Sequence, residues 1–176
     1  MRSLKASKGV GAMALRFTVL TAARSGEARG ARWAEIDQED RTWTIPADRM
    51  KADTEHIVPL SDAAMVILAE AKPLEGGDAD AAIFPGQRMA PMSDMTLTKA
   101  HRTAGAVQYT VHGMRPSFRD WAAECTDVAH EVAEAALAHT LSNAVVRVYR
   151  RTDFFEKRRV LMDERSGHCK GDDPSK

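Results

Sequence analysis

Two stretches decide the fold class of this chain, Arg41-Thr42-Trp43-Thr44-Ile45-Pro46 and Glu55-His56-Ile57-Val58-Pro59-Leu60. Both contain the β-branched and aromatic residues that are typical of short strands. The polar segment 47–54 between them predicts a hairpin connection, and Glu35-Ile36-Asp37 predicts a short strand beside them. Since the other patterned segments favour helices, we expect a mainly α fold with one small antiparallel β-sheet, in the α+β class.

Helices are predicted over most of the remaining chain, from apolar periodicity and from capping residues such as Ser61. Asp153-x-x-Glu156 resembles a capping box at the start of the last helix. From Ser166 onward the polar, Gly-containing sequence predicts a disordered tail. The predicted helices cover residues 13–21, 27–33, 61–72, 93–105, 113–125, 128–138, 143–150 and 154–165.

The bulk composition narrows the class of protein. The chain of 176 residues is long enough for one domain with a buried core. No apolar run approaches the roughly 20 residues of a membrane span, and the start lacks the apolar segment of a secretory signal. The two cysteines form neither a disulfide framework nor a metal-ligand pair, which fits a reducing cytoplasm.

Charge is balanced overall but unevenly placed. The net charge is zero, which argues against a generic nucleic-acid coat, because such proteins carry a basic footprint. A cationic cluster nevertheless surrounds Tyr149 in the sequence, and it is compatible with a DNA-facing surface or with a solvated helix face. Its members are Arg147, Arg150, Arg151, Lys157, Arg158 and Arg159.

The run His112-Gly113-Met114-Arg115 places a histidine and an arginine three residues apart at the start of a predicted helix. Backbone N–H groups there favour an anion, and a guanidinium can grip two phosphate oxygens at once. Arg24 offers a second guanidinium, because it lies in a Gly-containing helix break with Glu27 three residues later to orient it. Pro116 disfavours helical dihedrals at the arginine before it, which leaves the direction of that side chain open. A surface salt bridge is the alternative for either arginine.

Three further side chains bear on this chemistry. Lys51, in the predicted hairpin connection, can protonate a leaving oxygen, although a solvated turn lysine is the simpler interpretation. Tyr149 is a weak nucleophile at neutral pH unless cations or a base activate it, because an unperturbed phenol has a pKa of about 10. The alternative for Tyr149 is packing against the core, and for His139 it is simple burial. Zinc is not predicted, since suitable spacing is absent among His112, Cys125, His130 and His139.

Taken together, these segments resemble the catalytic domain of the tyrosine recombinases, the phage integrase family, and especially prophage and genomic-island integrases. The resemblance covers about residues 12–163. The motifs are specific jointly rather than singly. They are Thr21-Ala22-Ala23-Arg24-Ser25-Gly26-Glu27, Arg49-Met50-Lys51, His56-Ile57-Val58-Pro59-Leu60-Ser61, His112-Gly113-Met114-Arg115, Leu137-Ala138-His139 and Val148-Tyr149-Arg150-Arg151.

The resemblance implies the fold of DNA breaking-rejoining enzymes and a role for each matching residue. Tyr149 attacks the scissile phosphate, forms a 3′-phosphotyrosyl link and frees a 5′-hydroxyl. Two arginines and a histidine hold the non-bridging oxygens: Arg24, Arg115 and His139. Lys51 acts as general acid and His112 assists proton transfer, while Glu27 supports the first arginine. Further DNA contacts are expected from Arg147, Arg150 and Arg151, and no metal, ATP or other cofactor is required.

The resemblance also implies domains and partners. We expect a catalytic domain over residues 1–165 and a disordered tail over 166–176, with no room before residue 12 for the family's core-binding and arm-binding domains. The chain would then be a natural truncation, a prophage remnant or an excised domain. Expected partners are double-stranded DNA attachment sites and, in the intact enzyme, three further protomers, the isolated chain being a monomer. No membrane partner is expected.

A second interpretation is a catalytically silent remnant that only binds DNA or an integrase protomer. Three departures from the family motivate it: the missing domains, Pro116, and a C-terminus without the usual Trp-containing helix.

Overall fold

The computed structural model of the protein describes residues 9–74, 76, 78–87, 91–139 and 153–171. Within these ranges the chain forms seven α-helices, three short strands and three single turns of 3₁₀-helix. The 3₁₀ turns are Trp33–Glu35, Ala47–Arg49 and Lys72–Leu74. The other elements are α1 (Val10–Thr21), α2 (Ser25–Arg29), β1 (Ile36–Asp37), β2 (Thr42–Ile45), β3 (His56–Pro59), α3 (Asp62–Ala71), α4 (Asp94–Thr103), α5 (Met114–Cys125), α6 (His130–Ala136) and α7 (Phe155–Lys170).

The three strands form one antiparallel sheet in the order β1-β2-β3. Trp43 lies opposite Val58, and Ile45 lies opposite His56. Because side chains alternate along a strand, Trp43 and Ile45 point into the core while Thr42 and Thr44 point away from it. The predicted hairpin and the mainly α fold with a small antiparallel sheet are confirmed.

Two hydrophobic clusters hold the described residues together. The first joins α1, α3 and the sheet around Phe17, whose ring centroid lies 5.2 Å from that of Trp43. The second joins α5, α6 and α7 around Phe118 and Trp121, whose centroids are 5.7 Å apart. Ala22, directly after α1, belongs to the second cluster. The end of α1 is therefore the point at which the two clusters meet.

The final helix is longer than predicted. It continues to Lys170, so residues 166–170 are helical and the tail predicted from Ser166 is corrected over that stretch. Ser166 is buried, and the ring of His168 packs 5.6 Å from that of Trp121. These contacts bury one face of the polar sequence, which composition alone does not reveal. Residues 172–176 lie outside the described ranges.

Two predicted helix caps are also corrected. The predicted capping box at Asp153 is not formed, because Phe154 occupies the N-cap position with a φ of 58°. The Asp153 carboxylate accepts from the backbone N–H of Phe155 through Oδ1 and from Arg158 through Oδ2. The Glu156 side chain is largely exposed. Ser61 does stand at the N-cap of α3, but its hydroxyl makes no capping hydrogen bond within the described residues.

The helix predicted over 27–33 is shorter and begins earlier, at Ser25. It ends at Arg29 because the backbone then pairs with another segment: the N–H of Ile83 donates to the carbonyl of Ala31 at 2.9 Å. The helix predicted over 143–150 lies outside the described residues. None of the described helices has the length and apolar character that crossing a lipid bilayer requires.

Candidate active site

Arg24 is held by a carboxylate three residues away. It occupies the N-cap of α2, where its backbone N–H donates to Glu27 Oε2 at 2.7 Å and its guanidinium donates to Oε1 at 2.6 Å. Glu27 is buried, whereas the side chain of Arg24 keeps 27% of its surface exposed. Ala22, two residues earlier, turns the chain out of α1 with a φ of 52°. The exposed end of the guanidinium thus faces solvent while its inner side is fixed.

Arg115 is buried and held by the backbone. Its Nη1 donates to the carbonyl of Ala22 at 2.6 Å, and its Nη2 donates to the carbonyl of Leu137 at 2.5 Å. These carbonyls end α1 and α6, where the helix dipole favours a cation. Pro116 does not turn the side chain away, because α5 already begins at Met114 and a proline in a first turn replaces an N–H without an intrahelical partner.

His139 lies beside Arg115 and is anchored from behind. Its Nε2 is 3.2 Å from Arg115 Nη2, and its Nδ1 is 2.9 Å from Glu134 Oε2. Ala138, with a φ of 49°, makes the sharp turn that follows α6 and brings the ring back toward that helix. A left-handed conformation is unfavourable for alanine, so Ala22 and Ala138 are two strained positions on either side of Arg115.

These residues converge on one cavity of about 500 Å³. A small recess of about 100 Å³ shares three of its residues and adds Arg119. The cavity walls come from four separate parts of the chain, and most of the polar groups are cationic or can become so. Its lining residues are Arg24, Lys51, Ala52, His112, Arg115, Ala138 and His139.

The electrostatics of the cavity favour an anion. Burial, and then the positive charge of Arg24, lower the pKa of Arg115 to about 10, although Glu27 and Glu134 oppose the shift. The guanidinium therefore keeps its charge at neutral pH. The positive charges of Arg24 and Arg115 repel each other across the cavity. A phosphate between the two guanidinium groups would stabilise both charges.

The structure brings together five of the six catalytic residues that the sequence predicted. Lys51 follows the 3₁₀ turn Ala47–Arg49 and is exposed at the cavity rim, and His112 precedes α5. Tyr149 and the three predicted DNA-contacting arginines, Arg147, Arg150 and Arg151, lie outside the described residues.

Three residues near the cavity were not identified from the sequence as site residues. Glu134 supports His139, and the only sequence signal for it is an acidic residue among the alanines of α6. Burial, and then the charge of Arg158, lower the pKa of His56 to about 4. Arg158 itself belongs to the predicted cationic cluster, yet it is 2% exposed and donates to the carbonyl of Ile57 at 2.6 Å. It is a buried tie between α7 and β3 rather than part of a solvated or DNA-facing surface.

A larger groove of about 790 Å³ lies between the end of α4 and the end of α7. Its lining is largely apolar or uncharged, with one arginine, Arg165, where the smaller cavity has two arginines and a lysine. We therefore place the candidate site at the smaller cavity.

Comparisons with known proteins identify the family of the chain. The sequence model described as the phage integrase family matches residues 3–156. Prophage integrase IntA of Escherichia coli strain K12 is 44% identical over 149 residues, which cover 83% of this chain and 35% of IntA. The integrase of Enterobacteria phage P4 is 33% identical over 168 residues, which cover 85% of this chain and 38% of that protein. The chain thus spans little more than a third of these relatives.

Among solved structures, a lambda integrase dimer bound to a COC′ core site matches with a TM-score of 0.57 at 22% identity. The match covers 87% of this chain and 45% of the lambda integrase chain. At this level of identity it supports the fold, which is that of the catalytic domains of DNA breaking-rejoining enzymes. From the family match and the identity to the prophage integrases, the chain belongs to the phage integrase family of tyrosine recombinases.

Proposed function

We propose that this chain carries the DNA-cleaving and DNA-rejoining centre of a site-specific recombinase that integrates or excises a prophage or genomic island. The observation that carries the proposal is the convergence of two arginines, two histidines and a lysine on one cavity. Such a set of donors matches the negative charge that develops on a phosphate during transesterification.

The proposed reaction divides the work among these side chains. Arg24 and Arg115 bind the two non-bridging oxygens, and His139 donates a further hydrogen bond. The Tyr149 oxygen attacks phosphorus and forms the 3′-phosphotyrosyl bond while the bond from phosphorus to the 5′-oxygen breaks. Lys51 gives its proton to that oxygen, and His112 assists removal of the phenolic proton of Tyr149, so the nucleophile loses one proton and the leaving oxygen gains one. The phosphotyrosyl ester conserves the bond energy, so the reverse attack by a 5′-hydroxyl rejoins DNA without a cofactor.

The proposed partner is double-stranded DNA carrying an attachment site. The DNA bound in the lambda integrase structures and the names of the prophage relatives support this partner. We further propose that the intact protein works as a tetramer on two duplexes in the bacterial cytoplasm, and that the chain alone is monomeric.

A nicked suicide duplex tests the proposed activity. Cleavage beside the nick releases a short strand, so the attacking 5′-hydroxyl is lost and the protein–DNA ester accumulates. Because the attachment site is not specified, a duplex pool randomised around the nick is incubated with the protein, and covalent species are isolated in denaturing gels and sequenced. We expect an SDS-resistant complex with the wild-type chain and none with Tyr149→Phe.

The outcomes separate the two candidate functions. DNA binding without any covalent product would favour the catalytically silent remnant. A covalent product that persists in Tyr149→Phe would exclude Tyr149 as the nucleophile.

A further inference from the structure

We propose that Glu134 is a positioning residue for the reaction: its carboxylate fixes the ring of His139 so that Nε2 faces the phosphate cavity. The inference rests on the proposed function for its catalytic consequence. Its geometric part concerns described residues alone, and it can be tested without DNA cleavage.

The contact between the two side chains is direct. Glu134 Oε2 lies 2.9 Å from His139 Nδ1, and Glu134 is 9% exposed. An ionised carboxylate only accepts hydrogen bonds, so the proton of the pair lies on Nδ1. The other ring nitrogen then points toward Arg115 Nη2, 3.2 Å away, at the wall of the cavity.

The backbone brings the two residues together independently of their side chains. The N–H of His139 donates to the carbonyl of Glu134 at 3.0 Å, and the left-handed turn at Ala138 closes this loop. Glu134 therefore holds His139 twice, once through the main chain and once through the carboxylate. A substitution that removes the carboxylate leaves the main-chain contact in place, which isolates the effect of ring orientation.

The placement of Glu134 is difficult to explain by stability alone. Burying a carboxylate is unfavourable unless its oxygens are well paired. Oε2 meets the imidazole, but Oε1 is buried without a hydrogen-bond partner among the described residues. An apolar side chain would fill this place on α6 without that penalty. The carboxylate instead matches a ring that carries positive charge when a phosphate occupies the cavity.

The consequence for the reaction follows from the two states of the ring. When neutral, with its proton on Nδ1, His139 accepts from Arg115 through Nε2. When it carries both protons, Nε2–H can donate to a non-bridging oxygen while Glu134 still accepts from Nδ1–H. Without the carboxylate, nothing fixes Nδ1–H, so the ring can rotate and Nε2–H is no longer held toward the phosphate.

Rates of covalent trapping test the catalytic part. Carboxylates that orient metal-bound histidines change activity by about 10–100-fold when they are mutated, and we expect a loss of that order in Glu134→Ala because the carboxylate orients a histidine here as well. Glu134→Gln keeps an acceptor oxygen and should lose less. Glu131→Gln, an exposed position on the same helix, serves as the matched control and should react like wild type. DNA affinity should be unchanged in all three.

A double-variant comparison distinguishes positioning from a separate role. If Glu134 acts through His139, then Glu134→Ala should cause no further loss of rate in a His139→Ala background. A further loss of similar size in that background, or wild-type rates in both Glu134 variants, would overturn the proposal.

Nitrogen-15 NMR of the ring decides the geometric part, even if the chain proves catalytically silent. The His139 signals are assigned by their absence in His139→Ala. In the free wild-type protein we expect the neutral ring to carry its proton on Nδ1, and in Glu134→Ala a mixture of tautomers. A proton on Nε2 in the wild type would overturn the proposal. If Glu134→Ala does not fold, the wild-type and Glu134→Gln spectra still decide it.

Discussion

Arg24 and Arg115 line the same cavity, but the chain holds them in different ways. Arg24 is partly exposed and bonds the carboxylate of Glu27, three residues away. Arg115 is buried, and its backbone acceptors, Ala22 and Leu137, are 93 and 22 residues away. One arginine is placed by local sequence and the other by the meeting of three helices. Arg115 should therefore be part of the fold as well as of the site, whereas Arg24 should be needed mainly for binding and reaction.

The largest expected difference is in stability. Arg115→Ala leaves two buried carbonyls without their donor, and we expect the free energy of unfolding to fall by about 4 kcal/mol. Arg24→Ala should lower it by about 1 kcal/mol, because its ion pair is partly solvated and the N–H of residue 24 still binds Glu27. Urea denaturation of the two variants measures both values. Equal losses would mean that Arg115 is not a structural tie.

Acid should destabilise the fold through His56, the first residue of β3. Its pKa is lowered from 6.5 to about 4 by burial and Arg158 in the folded state, so the unfolded chain binds more protons between these values. The contribution of His56 to the free energy of unfolding should therefore be fully present above pH 6.5. It should be lost as the pH drops toward 4, which lowers that free energy by at most about 3 kcal/mol.

Urea denaturation at pH 7 and pH 4.5 checks this expectation. His56→Gln removes the titrating ring, so the difference between the two pH values should be smaller in the variant than in the wild type. The same pH dependence in both proteins would show that other groups cause it.

Glu27→Gln tests whether charge, rather than shape, orients Arg24. The carboxylate accepts one hydrogen bond from the Arg24 backbone N–H and one from its guanidinium, whereas the single oxygen of the amide is uncharged and replaces only one of these acceptors. We expect stability to fall by about 1 kcal/mol and covalent trapping to slow by roughly 10-fold. Arg115 does not depend on Glu27 for its position, so it should still bind an anion such as sulfate. Sulfate should therefore still raise the melting temperature of the variant. Loss of that response would indicate that both arginines depend on Glu27.

The smallest effect is expected at the strained turns beside the acceptors of Arg115. Glycine adopts a positive φ freely, so Ala138→Gly should stabilise the protein by about 0.5–1 kcal/mol. Ala136→Gly, within α6, is the matched control and should destabilise it by a similar amount. Thermal unfolding measures both. Destabilisation by Ala138→Gly would argue that the turn is not strained.

The contrast between Arg24, which is held by a nearby residue, and Arg115, which is held by distant ones, explains what could be predicted from the sequence. The hairpin at 41–60 and the position of Glu27 beside Arg24 depend on neighbours within a few residues, so residue patterns indicated them. The acceptors of Arg115 are distant in the chain, and Pro116 suggested a difficulty that the early start of α5 removes. Local patterns report local geometry.

Burial of polar side chains was the part that the sequence could not indicate. Glu134 and Arg158 carry charges that usually remain at the surface, and nothing nearby in the sequence marks them as buried. The tail predicted from Ser166 failed for the same reason, because its order comes from packing on Trp121. Such positions become visible only when distant segments meet.

The hydrogen bonds of Arg158 also limit where Tyr149 can lie, because they fix the position of Asp153. Arg158 donates to the carbonyl and the carboxylate of Asp153, and it joins them to the carbonyl of Ile57 beside the candidate site. Tyr149 precedes Asp153 by four residues. An extended chain advances at most about 3.6 Å per residue, so the Cα atom of Tyr149 remains within about 14 Å of that of Asp153. In the proposed reaction, the phosphate that Tyr149 attacks must therefore lie near the Asp153 of the same chain, which Arg158 holds against Ile57, and a phosphate bound by another protomer is within reach only if that protomer approaches as closely.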